Sequence, residues 1–134
     1  MNNQEDAIGK VIVDRAVKVH RELGPGLFER VYEAALTYEL NAAGLTVERQ
    51  VAIPVAYRGV SLEEGFRADM LINDLVIIEL KSVEEVSGVH HKQIQTYLKL
   101  AKKRLGYIIN FGQSLMKSGI VRVVNGLPDD MSWR

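Results

Sequence analysis

Apolar residues recur at helical spacing in three segments of the chain. The first segment predicts a helix over about residues 5–22, with an apolar stripe of Ile8, Val11, Ile12, Ala16 and Val19. Gly24-Pro25-Gly26 ends this pattern, because the tripeptide cannot continue a helix. A second helix is predicted over about residues 27–43, with Gly44 as its stop. A third begins after the N-cap Ser87, and its apolar stripe is Ile94, Tyr97, Leu98 and Ala101.

The segments between and after these helices alternate apolar and polar residues, which predicts strands. "TVERQVAIPVAYRGVSL" predicts two strands around a turn at Arg58-Gly59, and "GFRADMLI" and "LVIIEL" predict two more around Asn73-Asp74. "LGYIINFG" and "GIVRVVNG" are the last two strands. The predicted order is α-α-β-β-β-β-α-β-β. It is typical of an α+β or mixed α/β fold, with helices packed on a mostly antiparallel sheet.

Composition narrows the class of protein. The 134 residues suit one domain, with a core over about residues 8–125 and short tails, the C-terminal one containing Trp133. Seventeen basic and seventeen acidic residues cancel, so any contact with nucleic acid has to come from a local patch. The absence of cysteine excludes disulfides and thiolate metal sites. We expect neither a membrane span nor a secretory signal, and therefore a cytoplasmic location.

Three charged residues interrupt the apolar pattern of "FRADMLINDLVIIELKS", residues 66–82. Asp69 lies in the first strand of this hairpin, and Glu79 and Lys81 lie in the second. Strands that only filled a core would not need these charges. The register of the hairpin decides whether the three side chains share a face.

A two-residue loop would place the two carboxylates on opposite faces of the sheet. A three-residue loop, Ile72–Asp74, pairs Leu71 with Leu75 and brings them to the same face. We predict this register, which makes Asp69 and Glu79 diagonal neighbours roughly 7–8 Å apart at the backbone. One face is then wholly apolar and consists of Phe66, Ala68, Met70, Ile72, Val76, Ile78 and Leu80. The other carries Arg67, Asp69, Leu71, Leu75, Ile77, Glu79 and Lys81.

Two neighbouring carboxylates repel each other unless a cation or a proton lies between them. Oxygen ligands favour Mg²⁺ or Mn²⁺ over Zn²⁺. Such an ion can activate water and neutralise charge at a phosphorus centre, and Lys81 could orient that water and stabilise negative charge. The alternative is an ordinary salt bridge, in which Lys81 pairs with Glu79 or Asp69 on a solvated face.

The second predicted helix offers a third acidic group. Its apolar arc consists of Phe28, Val31, Tyr32, Ala35, Leu36 and Leu40. Glu29 and Glu39 fall within this arc, where a carboxylate is costly unless it is paired or metal-bound. Glu29 is therefore a candidate for the same site. The alternative is a glutamate favoured at a helix start by the helix dipole.

The spacing of these residues resembles a known nuclease signature. Asp69-x9-Glu79-x-Lys81 resembles the PD-(D/E)XK motif of restriction-endonuclease-like nucleases, with Ala68 in place of the proline. The resemblance implies that Asp69 and Glu79 are the principal ligands of Mg²⁺ or Mn²⁺. It also implies that Lys81 is the catalytic lysine.

A second resemblance covers roughly residues 8–125. "LGPGLFERVYEAALTYEL" is similar to the signature of the GxxExxY family, here Gly26, Glu29 and Tyr32. "VERQVAIPVAYRG", "ADMLINDLVIIELKSV", "HHKQIQTYLKL" and "LGYIINFG" are similar to the same family in the same order. That family looks like a compact member of the PD-(D/E)XK superfamily. The resemblance implies that Glu29 is a catalytic carboxylate that supports the metal.

The third predicted helix contributes further candidates. Gln93 and Tyr97 resemble the Q-x-x-x-Y element of RecB-type nucleases, which helps organise the site or touch the substrate. His90 lies on the same helix face. The alternative is that Gln93 and Tyr97 only pack the helix on the sheet, and that His90 and His91 are an exposed pair at the helix start. A basic cluster could track a phosphate backbone or simply be a solvated helix end, and it consists of Lys92, Lys99, Lys102, Lys103 and Arg104.

Three functions are compatible with these patterns. The first is a Mg²⁺-dependent nuclease that hydrolyses phosphodiester bonds in nucleic acids, with DNA favoured over RNA. The second is a non-catalytic module on a nuclease-like scaffold that binds nucleic acid or protein. The third is a homo-oligomeric structural protein with a salt-bridge cluster. A small neutral domain of this kind could also act as a homodimer that spans a duplex.

Overall fold

The computed structural model describes residues 4–126, apart from the side chain of Glu64. The predicted C-terminal tail with Trp133 lies outside these residues. The described helices are α1 (Gln4–Leu23), α2 (Glu29–Ala42) and α3 (Gly88–Ala101). The described strands are β1 (Val47–Tyr57), β2 (Val60–Ile72), β3 (Val76–Lys81), β4 (Leu105–Asn110) and β5 (Ile120–Val124). Between residues 4 and 126, no helix combines the length and the apolar character needed to cross a bilayer.

The five strands form one sheet in the order β1-β2-β3-β4-β5. Strands β3 and β4 are parallel and are connected through α3, and the other neighbours are antiparallel. The predicted α+β fold with a mostly antiparallel sheet is confirmed.

The predicted number of strands before α3 is wrong. Three strands precede this helix, not four, because β2 runs unbroken from Val60 to Ile72. Gly65 does not end a strand, since it lies opposite an irregularity between Ile53 and Val55 in β1. A β-carbon at Gly65 would lie 2.6 Å from the carbonyl oxygen of Ile53. The glycine therefore permits a close approach of two backbones, which sequence pattern alone does not distinguish from a turn.

Two hydrophobic layers hold the helices on the sheet. Helices α1 and α2 cover one face, where Met70, Ile72, Val76, Ile78 and Leu80 are buried as predicted. Helix α3 covers the other face through Ile94 and Leu98. Phe66 and Ala68 belong to this second layer, which corrects their predicted place. The alternation of faces along β2 is therefore interrupted between Ala68 and Met70, where the pairing of β2 with β3 ends.

Helix α2 is rotated relative to the predicted arc. Phe28 is 77% exposed and precedes the helix as its N-cap residue, and Val31 is also exposed. The residues that α2 buries are Tyr32, Glu33, Leu36 and Leu40. The carboxylate that faces the core is therefore that of Glu33, whereas Glu29 is exposed.

Tyr32 fixes the turn that leads into α2. Its buried hydroxyl donates a hydrogen bond to the Gly24 carbonyl at 2.5 Å and accepts one from the Leu27 N–H at 3.1 Å. Its ring stacks on Phe111 with 4.3 Å between centroids. The turn itself depends on glycine, because Gly24 and Gly26 have positive φ angles. Tyr32 thus sets the position at which Glu29 begins the helix.

Replacing Tyr32 by phenylalanine is expected to lower the free energy of unfolding by about 1–2 kcal/mol, since two backbone groups lose their partner. Denaturant unfolding at constant pH measures this change. Tyr38→Phe is the matched control, because Tyr38 is 72% exposed on the same helix. Equal effects of the two substitutions would show that the Tyr32 hydroxyl does not stabilise the turn.

Candidate active site

The β2–β3 hairpin has a three-residue loop, as predicted, but the loop is Asn73–Leu75 and not Ile72–Asp74. The paired residues are Ile72 and Val76, Leu71 and Ile77, and Met70 and Ile78. Both Asn73 and Asp74 have positive φ angles, a conformation that Asn and Asp tolerate. Asp69 and Glu79 lie together, because each carboxylate accepts a hydrogen bond from the backbone of the opposite strand. The shift places them directly opposite each other in the continuation of this register, not diagonally as predicted.

Each of the two carboxylates is held by the opposite strand. The backbone N–H of Leu80 donates to Asp69 Oδ2 at 2.8 Å, and the N–H of Asp69 donates to Glu79 Oε1 at 3.1 Å. These bonds replace the backbone ladder, whose pairs end at Met70 and Ile78. The side chains of the acid pair, Asp69 and Glu79, are therefore oriented by the fold and not only by solvent.

The acid pair lies in an environment that disfavours two negative charges. Burial, and then the charge of Asp69, raise the pKa of Glu79 to about 8. Burial also raises the pKa of Asp69 above its ordinary value. Lys81 acts in the opposite direction on both groups and does not compensate. A cation or a proton at this position would relieve the repulsion.

Lys81 lies at the end of β3, two residues beyond Glu79 and hence on the same face of the sheet. Its side chain is half-buried. Among the ion pairs within residues 4–126, none involves Lys81. The described structure therefore does not contain the ordinary salt bridge that would explain the three charges.

Glu29 lies beside the acid pair but does not face the core, which corrects the sequence-based expectation. It is the first residue of α2, and its Oε2 accepts a hydrogen bond from the Ser82 N–H at 3.2 Å. The Ser82 hydroxyl donates to the Leu27 carbonyl at 2.8 Å. The start of α2 is thus joined to the residue after Lys81, and the charge of Glu29 contributes to the raised pKa of Glu79.

Helix α3 presents its candidate residues in different ways. The Nδ1 of His90 accepts a hydrogen bond from the Ser87 N–H at 3.2 Å, so this side chain caps the helix, and burial with the nearby Lys81 lowers its pKa. Tyr97 stacks on Phe66 with 3.6 Å between ring centroids. Its pKa is raised by burial and then by the charges of Glu79 and Asp69. The packing role considered for Tyr97 is therefore observed, and the ring also lies within electrostatic reach of the acid pair.

Gln93 is exposed and lines an open groove of about 440 Å³ between α3 and the β1–β2 hairpin. Lys92 and Tyr97 line the same groove. His91 is exposed at the helix start, as expected. Gln93 and Tyr97 thus share one helix face, and the groove runs from that face along the hairpin.

Two members of the basic cluster are bound to other parts of the protein. Lys103 donates to the Asp74 carbonyl at 2.8 Å and lies 3.3 Å from its carboxylate. Arg104 makes two hydrogen bonds of 3.0 Å to the buried carboxylate of Glu5. These two residues join the end of α3 to the hairpin and to α1. The cluster therefore does not form a uniform basic track along the helix.

Two residues near Asp69, Glu33 and Gln50, are not indicated as candidates by the sequence patterns above. Glu33, buried on α2, accepts hydrogen bonds from Arg49 Nε at 2.8 Å and from Gln50 Nε2 at 2.7 Å. Gln50 Nε2 also lies 3.4 Å from Asp69 Oδ1. The sequence does contain a signal for Glu33. This residue lies four positions after Glu29 and three before Leu36, so all three share one face of the helix. The sequence of a strand gives no comparable signal for Gln50.

The acid pair can be compared with what a divalent cation requires. Within the part of the chain that is described, no three His, Cys, Asp or Glu side chains are grouped closely enough to hold a metal ion. Mg²⁺ is commonly bound by one or two carboxylates, with water and substrate phosphate completing its shell. Asp69 and Glu79 meet that requirement, and burial, the largest cause of their raised pKa values, is a cost that a bound cation would offset. Glu29 is not grouped with them into a three-carboxylate site.

A strand hairpin that displays two opposed carboxylates and a lysine, next to a parallel strand pair and a crossover helix, defines a nuclease-like class of site. The family comparison agrees, because the model of the PD-(D/E)XK nuclease superfamily matches residues 6–123. The chain belongs to this superfamily, whose members generally use divalent metals. No curated protein and no solved structure gives a significant match.

Proposed function

We propose that this protein is a nuclease of the GxxExxY type that hydrolyses phosphodiester bonds with Mg²⁺ or Mn²⁺, in DNA rather than RNA. The observation that carries the proposal is the pairing of Asp69 with Glu79 by two hydrogen bonds between their strands, with Lys81 in none of the described ion pairs. The superfamily match supports the nuclease-like part of this proposal. Mg²⁺ or Mn²⁺ is proposed because carboxylate oxygens favour these ions. DNA is proposed because the sequence resembles restriction-endonuclease-like nucleases.

The proposed roles follow from position. Asp69 and Glu79 would hold the cation, which when bound supplies charge neutralisation at phosphorus and a water of lowered pKa. The Lys81 ammonium stabilises the negative charge that develops on the phosphate oxygens. Glu29, at the start of α2 beside the acid pair, would support the cation. Gln93 and Tyr97 contact the substrate strand along the groove, and His90 holds the start of α3 beside Lys81.

A binding module without catalysis is the second candidate. The observation that favours it is the bond between Glu29 and Ser82, which removes Glu29 from the acid pair. The net charge of zero also gives the protein no general attraction for nucleic acid. Cytoplasmic location and a homodimer stay predictions.

Calorimetric titration with Mg²⁺ and Mn²⁺ tests the proposal first. Wild type is expected to bind saturably, and the double variant Asp69→Asn/Glu79→Gln is expected to show no binding, because amides are weaker ligands without charge. The double variant Glu48→Gln/Asp14→Asn is the control, since both residues are exposed and neither is a hydrogen-bond partner of the acid pair.

A cleavage screen on single-stranded and duplex DNA and on RNA follows. Cleavage by wild type that the Asp69/Glu79 double variant lacks supports the nuclease. Metal binding without cleavage of any of these substrates would favour the binding module. The absence of metal binding, both alone and with a DNA oligonucleotide present, would contradict the proposal.

A further inference from the structure

Gln50 lies in the middle of β1 and has a backbone conformation that is unusual for its position. Its φ angle is +52°, in the left-handed region that only glycine, asparagine and aspartate adopt readily. The other described non-glycine residues with positive φ lie in the turns around Arg58 and Asn73–Asp74, or at the end of α3. The strain in β1 is thus specific to Gln50 and calls for a compensating interaction.

The side chain of Gln50 provides that interaction by bridging two carboxylates. Its Nε2 donates to Glu33 Oε1 at 2.7 Å and lies at the longer distance of 3.4 Å from Asp69 Oδ1. Asp69 Oδ2 is occupied by the Leu80 N–H, so Gln50 reaches the other oxygen of the carboxylate. Each oxygen of Asp69 therefore faces one donor.

Glu33 determines the orientation of the Gln50 amide. An ionised carboxylate only accepts hydrogen bonds, so the amide nitrogen, and not the oxygen, has to face Glu33. Arg49 Nε, at 2.8 Å from Glu33 Oε2, pairs with the other oxygen of this buried carboxylate. One N–H of the amide is then bound to Glu33, and the second is directed to Asp69.

We propose that Gln50, oriented by Glu33, is a positioning residue that fixes the Asp69 carboxylate for cation binding. The role of the cation rests on the proposed function, whereas the positioning of Asp69 does not. An amide suits the task because it orients the carboxylate and leaves its negative charge available. A lysine or arginine at this position would pair with Asp69 and compete with a metal ion.

Gln50→Gly separates this role from a purely structural one. Glycine relieves the strained φ angle but loses the bond to Glu33, so the two effects oppose each other and the variant is expected to melt close to wild type. Mn²⁺ binding, measured by calorimetry, is expected to weaken by about 10-fold, the lower end of the range for residues that orient metal ligands. Glu33→Gln is expected to weaken binding in the same direction, because a neutral amide no longer dictates which end of Gln50 faces Asp69.

Arg58→Gly is the matched control. Arg58 has a φ angle of +51° in the β1–β2 turn, so this substitution relieves the same kind of strain. Unchanged Mn²⁺ affinity is expected. A loss of affinity equal to that of Gln50→Gly would show that the effect comes from the hairpin backbone, and it would overturn the proposal.

Amide hydrogen exchange of the metal-free protein tests the positioning itself. A less constrained Asp69 carboxylate is expected to raise the exchange rate of the Leu80 N–H at least about fivefold in Gln50→Gly and not in Arg58→Gly. If wild type binds no metal but this exchange still accelerates, the proposed function fails and the positioning role stands. If wild type binds Mn²⁺ but Gln50→Gly changes neither affinity nor exchange, the positioning role is overturned and the proposed function stands.

Discussion

Replacing Lys81 by alanine is expected to lower the rate of phosphodiester cleavage by about 100- to 1000-fold, the usual cost of removing one preorganised group that stabilises developing negative charge. Lys81 is half-buried on the face of the acid pair, and its ammonium is in none of the ion pairs of residues 4–126. It is therefore available to a phosphate. The charge of Lys81 also lowers the pKa of Glu79. Its loss therefore removes a positive charge that competes with a metal ion for the acid pair.

The same substitution is expected to leave Mn²⁺ affinity unchanged or a few-fold tighter, which distinguishes Lys81 from the metal ligands. Single-turnover cleavage at saturating Mn²⁺ gives the rate, and calorimetry gives the affinity. Lys99→Ala is the control, because Lys99 is exposed on α3. A cleavage rate within about threefold of wild type in Lys81→Ala would exclude a role of this lysine in the reaction.

Much of the fold could be predicted because its strands and helices carry strong periodic signals. The apolar face of the hairpin from Met70 to Leu80 is such a signal, and it packs on α1 and α2 as expected. The errors occur where one local feature has two structural meanings. Gly65 is compatible with a turn or with a close backbone approach inside a strand, and only the pairing of β1 with β2 decides between them.

The sequence indicates candidate site residues, but it does not predict how they are arranged. The odd loop length followed from the separation of the two faces, and it correctly places Asp69 and Glu79 together. Which three residues form the loop depends on Asn73 and Asp74 both adopting positive φ, which the apolar pattern does not report. The same limit applies to Gln50, since its role depends on a strained φ angle and on Glu33 from a distant helix.

The metal-free protein is expected to lose stability as the pH rises from about 5 to 8.5, by about 2–4 kcal/mol from Glu79 alone. The pKa of Glu79 is raised from 4.5 to about 8 by burial and by Asp69. Below the unfolded pKa, Glu79 is protonated in both states. Above it, only the folded state still holds the proton, so folding becomes less favourable until the folded pKa is passed. The full rise in the pKa of Glu79 corresponds to about 5 kcal/mol of stability, at about 1.4 kcal/mol per pKa unit. Water around the partly exposed carboxylate reduces this loss of stability.

Urea unfolding in the presence of a chelator, at a series of pH values, measures this loss. Glu79→Gln is expected to be as stable as wild type near pH 5 and more stable at pH 8.5, because its amide oxygen can still accept the Asp69 N–H without carrying charge. Glu48→Gln, on an exposed position of β1, is expected to follow wild type.

Saturating Mg²⁺ should restore the stability of wild type at pH 8.5 and have no effect on Glu79→Gln, since a cation replaces the missing positive charge only where the carboxylate is present. Parallel pH profiles of wild type and Glu79→Gln would contradict the repulsion between the two carboxylates on which the metal site depends.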